Sequence, residues 1–171
     1  MLESPRLHLR PVKVSDADEL YQLNLDPEVI RYTGDKAFSS VLETRNFITD
    51  RMIPQFEKTR MSRFMVFLKD ETFTGWCGLK YHPETNEVDL GYRFARKFWN
   101  QGFATESSRA CLDYGFKTLG LERIIAKAMP ENTASIKVMQ KLGMSFKGYI
   151  HDPTDPCPFI VFEMLKGQWK T

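Results

Sequence analysis

Apolar residues recur at two spacings along the chain, and the switches between them set out an order of elements. "RLHLRPV", after Pro5, alternates apolar and polar positions, the period of a half-buried strand. "SDADELYQLNLDP" changes to helical spacing, with Ser15 as its expected N-cap, acids in the first turn and a stop before Pro27. In "SSVLETRNFITDRMIPQFEK", Ser40 and Glu43 have the spacing of a capping box. Val41, Phe47, Ile48 and Met52 are expected as its buried stripe, and Pro54 is expected to end or kink it. "SRFMVFLKDETFTGWCGLKYHPETNEVDLGYRF" reads as three strands turning at "KDET" and "HPETN", an antiparallel meander. In its last strand Val88, Leu90, Tyr92 and Phe94 share one face, and Glu87, Asp89, Gly91 and Arg93 share the other.

Beyond the meander, "ATESSRACLDYGFKTLG" places Ala104, Cys111, Leu112, Phe116 and Leu119 at helical spacing and stops at Gly120. "LERIIAKAM" is a strand, and "PENTASIKVMQKLG" is a helix opened by Pro130 and Asn132 and closed by Gly143. "MSFKGYI" and "PFIVFEMLK" complete the set around a proline-rich loop, "HDPTDPCP". The result is an α/β chain of about seven strands and four helices. Its length of 171 residues suits a single domain spanning 1–171.

Composition narrows the class. A chain 42% hydrophobic and 27% charged is that of a globular protein. A formal charge of +2 with interspersed signs calls for neither nucleic acid nor an anionic membrane. The start, "MLESPRLHLRP", lacks the layout of a signal peptide, and no apolar run reaches membrane-helix length. Cys77, Cys111 and Cys157 are odd in number and widely spaced, which fits a reduced, cytoplasmic protein with cysteines as packing residues. His8, His82 and His151 have no partner at metal-ligand spacing, so no metal is expected. Phosphate loops of the G-x-x-x-x-G-K-[ST] and G-x-G-x-x-G types are missing, as is a G-x-S-x-G elbow.

"FWNQGFATESS" carries the chemistry. Gly102 and Ala104 flank Phe103 where a strand hands over to a helix. The first helical turn has N–H groups without partners and partial positive charge, and small residues let an anion reach them. Gln101, Gly102, Phe103, Ala104 and Thr105 would supply those groups to a phosphate or pyrophosphate. A bland alternative is that Gly102 only lets strand and helix pack closely.

"WNQGFA" resembles the acetyl-CoA loop [RQ]-x-x-G-x-[GA] of the GNAT superfamily of N-acetyltransferases, with Trp99 standing where Arg or Gln is usual. The variant W-x-x-G-[YF]-A-T-E is common in the branch of ribosomal-protein N-terminal acetyltransferases. "RLHLRPV", "DPEVIRYTG" and "LERIIAKAMPENTASIKVMQKLGM" extend the resemblance over most of the chain. It implies an acyl-CoA N-acyltransferase fold, a mostly antiparallel sheet splayed between its fourth and fifth strands, with the pantetheine arm in the gap. It implies acetyl-CoA as co-substrate, a primary amine as acceptor, direct attack in a ternary complex, and a monomer or homodimer. The branch points to a protein N-terminal α-amine. Polyamines, amino-acid derivatives and aminoglycosides stay open, as does a CoA-binding module without catalysis.

The resemblance also assigns roles. Backbone near Phe94 and Arg96 would pair with pantetheine amides, and Asn132 would cap its helix and align the thioester. Arg96, Lys97, Arg109, Lys137 and Lys141 are candidates for coenzyme phosphates. Many members place a thiolate-protonating Tyr where Met139 stands; the branch has a Ser three residues after the Asn, which Ser135 matches. Asp89 stands where members carry an acid before Gly-Tyr, and it or Glu87 would act as base, through a water. His151, beside Asp152, would line the acceptor site together with the helices between Ser15 and Glu57. Asp35, Asp152 and Asp155 hint at a polycationic acceptor, against Arg31, Lys36 and Arg51.

Overall fold

The meander expected from the alternating pattern forms the middle of one eight-stranded sheet. The computed structural model describes residues 1–34, 36–150 and 158–170. Its strands are β1 (Leu2–Glu3), β2 (Leu7–Arg10), β3 (Arg63–Leu68), β4 (Phe73–His82), β5 (Glu87–Phe94), β6 (Arg123–Ala128), β7 (Ser145–Ile150) and β8 (Phe159–Leu165). They lie in the order β1-β2-β3-β4-β5-β6-β8-β7. Neighbours are antiparallel except β5 and β6, which run parallel. The strand beyond the expected seven is β1, whose two residues are too few to show a period; it pairs Leu2 with Leu9.

Helices cover both faces. On one, α5 (Phe103–Asp113) and α6 (Thr133–Lys141) bury Phe103, Cys111, Leu112 and Met139 against Cys77, Leu79, Val88, Leu90 and Phe94. On the other, α1 (Ala17–Leu25), α2 (Pro27–Ile30), α3 (Val41–Phe47) and α4 (Ile53–Thr59) cover Met65, Phe67 and Trp76. The two-residue period of β5 therefore sends Asp89 and Arg93 toward the α1–α4 layer and Val88, Leu90 and Phe94 toward α5.

Local chemistry departs from the expected caps. Asp16, not Ser15, precedes α1; its carboxylate accepts the Lys13 N–H at 2.7 Å and both Arg10 guanidinium nitrogens at 2.7 Å. Charge-assisted bonds of this kind outweigh what a serine hydroxyl offers. Ser40 does cap α3, accepting the Glu43 N–H at 3.1 Å, but Glu43 reaches back to the Ser39 N–H and hydroxyl instead of closing a box on Ser40. Phe47 is 42% exposed, and Thr44 takes its place in the buried stripe with Ile48 and Met52. Pro54 does not end the helix: Ile48–Met52 winds as a π turn that joins α3 to α4. The wider turn before Pro54 absorbs the bond its ring nitrogen cannot donate. Asp26 starts α2 at Pro27, its carboxylate accepting the Glu28 N–H at 3.1 Å.

Cys77 and Cys111 are fully buried with sulfurs 3.7 Å apart. The bond that Cys111 gives Cys77, together with burial, pushes the Cys111 thiol up. Cys157, Asp35, His151, Asp152 and Asp155 lie outside the described residues.

Leu112 is fully buried where α5 meets the sheet, so Leu112→Ala is expected to cost about 3 kcal/mol. Urea unfolding measures this; an unchanged midpoint would contradict the packing of α5.

Candidate active site

Parallel neighbours β5 and β6 share one register pair, Asp89 with Ile125, and then part. From Leu90 onward the β5 edge that faces β6 has no ladder partner there. The start of α6 stands across the opening. Asn132 caps α6 by accepting the Ser135 N–H at 3.1 Å. Tyr92 reaches from β5 to the same turn, its hydroxyl 2.8 Å from Ser135 Oγ and donating to the Ser135 carbonyl at 3.0 Å. Burial pushes the Tyr92 hydroxyl well above its ordinary range, although the Ser135 bond pulls the other way. Both hydroxyls line a cavity of about 1030 Å³ that runs from this gap to the α1–α4 layer. Tyr92 reads in sequence as one of the apolar residues of β5; its signal is a hydroxyl on a strand edge opposite the "ENTAS" helix start.

Below the gap, the loop before α5 is built to leave backbone bare. Asn100 and Gly102 both take left-handed conformations, with φ of 61° and 83°. Gly102 is the residue before α5 and offers no side-chain cap, so the N–H groups of Phe103, Ala104 and Thr105 find no partner within the helix. A Cβ on Gly102 would meet only Arg6 Nη2, at 3.4 Å, so among the described residues only the end of a flexible arginine comes near the space beside Gly102. Glu106, an acid in the first turn, is neutralised. Burial opposes its ionisation, but bonds from the Arg6 N–H and Ser4 hydroxyl and the Arg6 guanidinium hold its carboxyl below its usual range. Gln101 donates its side-chain amide to the Lys97 carbonyl at 2.8 Å. The Phe94 carbonyl accepts the Trp99 indole N–H at 2.7 Å, which gives the unusual tryptophan a definite task. Arg96 pairs with Asp26 at 3.1 Å, and Arg109 donates to the Lys141 carbonyl at 3.2 Å.

The cavity floor is polar. Asp89 receives Arg63 Nη2 at 2.6 Å and His82 Nε2 at 2.5 Å, while His82 Nδ1 lies 3.1 Å from Glu84. Arg63 crosses Gly91 to make that pair: a Cβ there would stand 2.7 Å from its guanidinium carbon. Desolvation disfavours the Asp89 carboxylate, yet Arg63 and His82 outweigh it and hold its carboxyl far below the ordinary value. Lys80 faces Asp89 across the β4–β5 ladder. Arg93 is buried over the Trp76 ring and donates to Asn24 of α1. Glu87 stands apart from this group, lining a separate cavity of about 490 Å³. It pairs with Arg123 at 3.1 Å and Lys127 at 3.5 Å. Burial opposes its ionisation, and these cations still lower it. The site thus brings together Asp89, Asn132, Ser135 and Tyr92, and leaves Glu87 outside. His82 was invisible as a partner until the hairpin register set it beside Asp89.

A family model described as an acetyltransferase (GNAT) domain matches residues 6–145. The uncharacterized N-acetyltransferase p20 of Bacillus licheniformis is 36% identical over 154 residues, spanning 88% of this chain and 85% of that one. Spermidine N(1)-acetyltransferase of Escherichia coli K12 is 27% identical over 144 residues, spanning 82% and 73%. Among solved structures, a GNAT-family acetyltransferase from Bacillus anthracis superposes with a TM-score of 0.83 at 29% identity, covering 97% of this chain and 98% of that one. RimL, a ribosomal L7/L12 alpha-N-protein acetyltransferase in complex with coenzyme A, shares the fold with a TM-score of 0.82 at 19% identity, covering 95% of each chain. No helix among the described residues is long and apolar enough to cross a membrane. The split sheet, the bare turn before α5 and these matches lead to one assignment: the chain belongs to the GNAT acetyltransferases, enzymes that take their acetyl group from acetyl-CoA.

Proposed function

We propose that the chain moves an acetyl group to a primary amine by direct attack in a ternary complex, with no covalent enzyme intermediate. The observation that carries this is the parting of β5 and β6 beside an uncapped, unfilled helix start. The N–H groups of residues 101–105 would hold the pyrophosphate, as helix termini hold anions. Backbone near Phe94 and Arg96 and the side chain of Asn132 would position the pantetheine arm. Bound this way, acetyl-CoA supplies an activated thioester carbonyl and a thiolate leaving group.

Ser135 then has a defined task. Its Oγ gives a proton to the departing sulfur, and the Tyr92 hydroxyl, 2.8 Å away, turns from the Ser135 carbonyl to replace that proton. Burial keeps Tyr92 protonated at rest and disfavours a tyrosinate, so the second proton shed by the attacking amine reaches it as the sulfur leaves. Asp89 is ionised across the working range, so it orders a water that receives the amine proton and is a weak base itself. His82, bonded to both Asp89 and the exposed Glu84, fixes the Asp89 carboxylate in place. An acceptor that needs little help losing its proton suits such a site. A protein α-amine, with a pKa near 8, meets that need better than an alkyl amine near 10.4. We therefore favour a protein N-terminus as acceptor.

Titration calorimetry with acetyl-CoA is expected to give micromolar binding that Gly102→Glu abolishes, because the new carboxylate repels the pyrophosphate and strains a left-handed position. Wild-type protein that binds no acetyl-CoA would overturn the proposal. Ser135→Ala and Tyr92→Phe are each expected to slow turnover by about 10²-fold with cofactor affinity unchanged. Unaltered turnover in both would remove the pair from the mechanism.

Asp89→Asn tests the floor. Its folded carboxyl is depressed, so its contribution to stability is present at neutral pH and fades as pH falls below about 4. The variant is expected to lose about 3 kcal/mol at pH 7, because Arg63 is left uncompensated. The difference from wild type should narrow in acid; a constant gap from pH 7 to pH 3 would contradict the ionised pair.

A further inference from the structure

The large cavity is unevenly charged. Among the described residues, seven Lys and Arg side chains line it against two carboxylates, Asp50 and Asp89. Some of that positive charge is committed, since Arg63 pairs with Asp89, and Lys127 lies 3.5 Å from Glu87. Lys36, Arg51, Lys58 and Lys80 line the same space and make no ion pair among the described residues. Three of them rise from the α2–α4 side, and Lys80 projects from β4 opposite Asp89. These cations are not placed for the coenzyme pyrophosphate. They border the α1–α4 face, whereas α5 packs on the opposite face and residues 101–105 lie outside the cavity lining.

Lys36, Arg51 and Lys58 are exposed, so salt screens their field, but on a concave surface where one sign predominates they still bias what enters. The field of the described residues repels polycations and attracts carboxylates. It also acts on the reacting group, because neighbouring positive charge favours the neutral form of a bound amine. That matters because Asp89, the carboxylate in the β5–β6 register pair, is already held by Arg63 and His82.

We infer that the acceptor is an amine whose own molecule carries carboxylates close to the nitrogen, held by Lys36, Arg51, Lys58 and Lys80. The inference rests on the acetyl-transfer reading above and names the substrate class of that site. An acidic peptide end and a free acidic amino acid share this chemistry, and a polyamine lacks it.

The test titrates coenzyme A-loaded protein with a glutamate-rich peptide bearing a free N-terminus, with glutamate, and with spermidine. At least one of the two acids is expected to bind, about tenfold more weakly at 0.3 M than at 0.05 M salt. Lys36→Glu with Lys58→Glu is expected to weaken it by about tenfold again, with acetyl-CoA affinity unchanged. Peptide binding without glutamate binding would identify a polypeptide end as the source of the carboxylates, and the reverse would identify a free amino acid. Spermidine binding more tightly than both acids, or charge reversal without effect on the acids, would overturn the inference while acetyl-CoA binding stands. Loss of acetyl-CoA binding in the wild type would instead overturn the transfer reading on which it rests.

Discussion

One pair of residues, Asp89 and Ile125, is where β5 and β6 still touch in register, and the site exists because the next pairs do not form. A sheet that stops pairing in its interior leaves backbone donors and acceptors in need of partners. The protein meets that need piecemeal. On β5 Trp99 takes the Phe94 carbonyl; across the gap, in the first turn of α6, Tyr92 takes the Ser135 carbonyl and Asn132 the Ser135 N–H. What is left unpaired is the β5 edge between them and the first turn of α5. Those are the groups an extended amide chain ending in a diphosphate can satisfy.

The two faces of the sheet then divide the labour. On the α5 face the core is apolar and fixes the helix whose first turn is bare. On the α1–α4 face the floor is a chain of charges, from Arg63 over Gly91 to Asp89 and His82, with Lys80 alongside. A carboxylate held by an arginine and a histidine has little basicity left to offer an ammonium. In the mechanism we propose, proton removal therefore falls to the amine's own acidity and to ordered water. Proton return to sulfur falls, in the same proposed mechanism, to the hydroxyls of Tyr92 on β5 and Ser135 across the gap.

Periodicity was enough to read the meander, the parity of β5 and the helices around it, because each rests on residues two or four apart. It was also enough to place Gly102, Asn132, Ser135 and Asp89 on their elements. Contacts set by register were not legible. His82 reaches Asp89 only because the "HPETN" turn pairs His82 with Glu87, and Arg63 reaches it only because Gly91 has no side chain. The same register carries Glu87, two residues before Asp89, out of the cleft and onto Arg123. Tyr92 looked apolar by parity, and its hydroxyl acquired a partner only when α6 was laid across the gap. Pro54 read as an end or a kink, and the π turn that carries the helix past it leaves no mark in a 3.6-residue pattern.

Amide hydrogen exchange with and without coenzyme A tests the central claim most directly, since it reports on main-chain N–H groups themselves. Slowed exchange is expected in residues 101–105, along β5 from residue 90 to 94, and at the start of α6. Protection that spares residues 101–105, or that is confined to the α3–α4 wall, would show the coenzyme bound elsewhere and contradict the account.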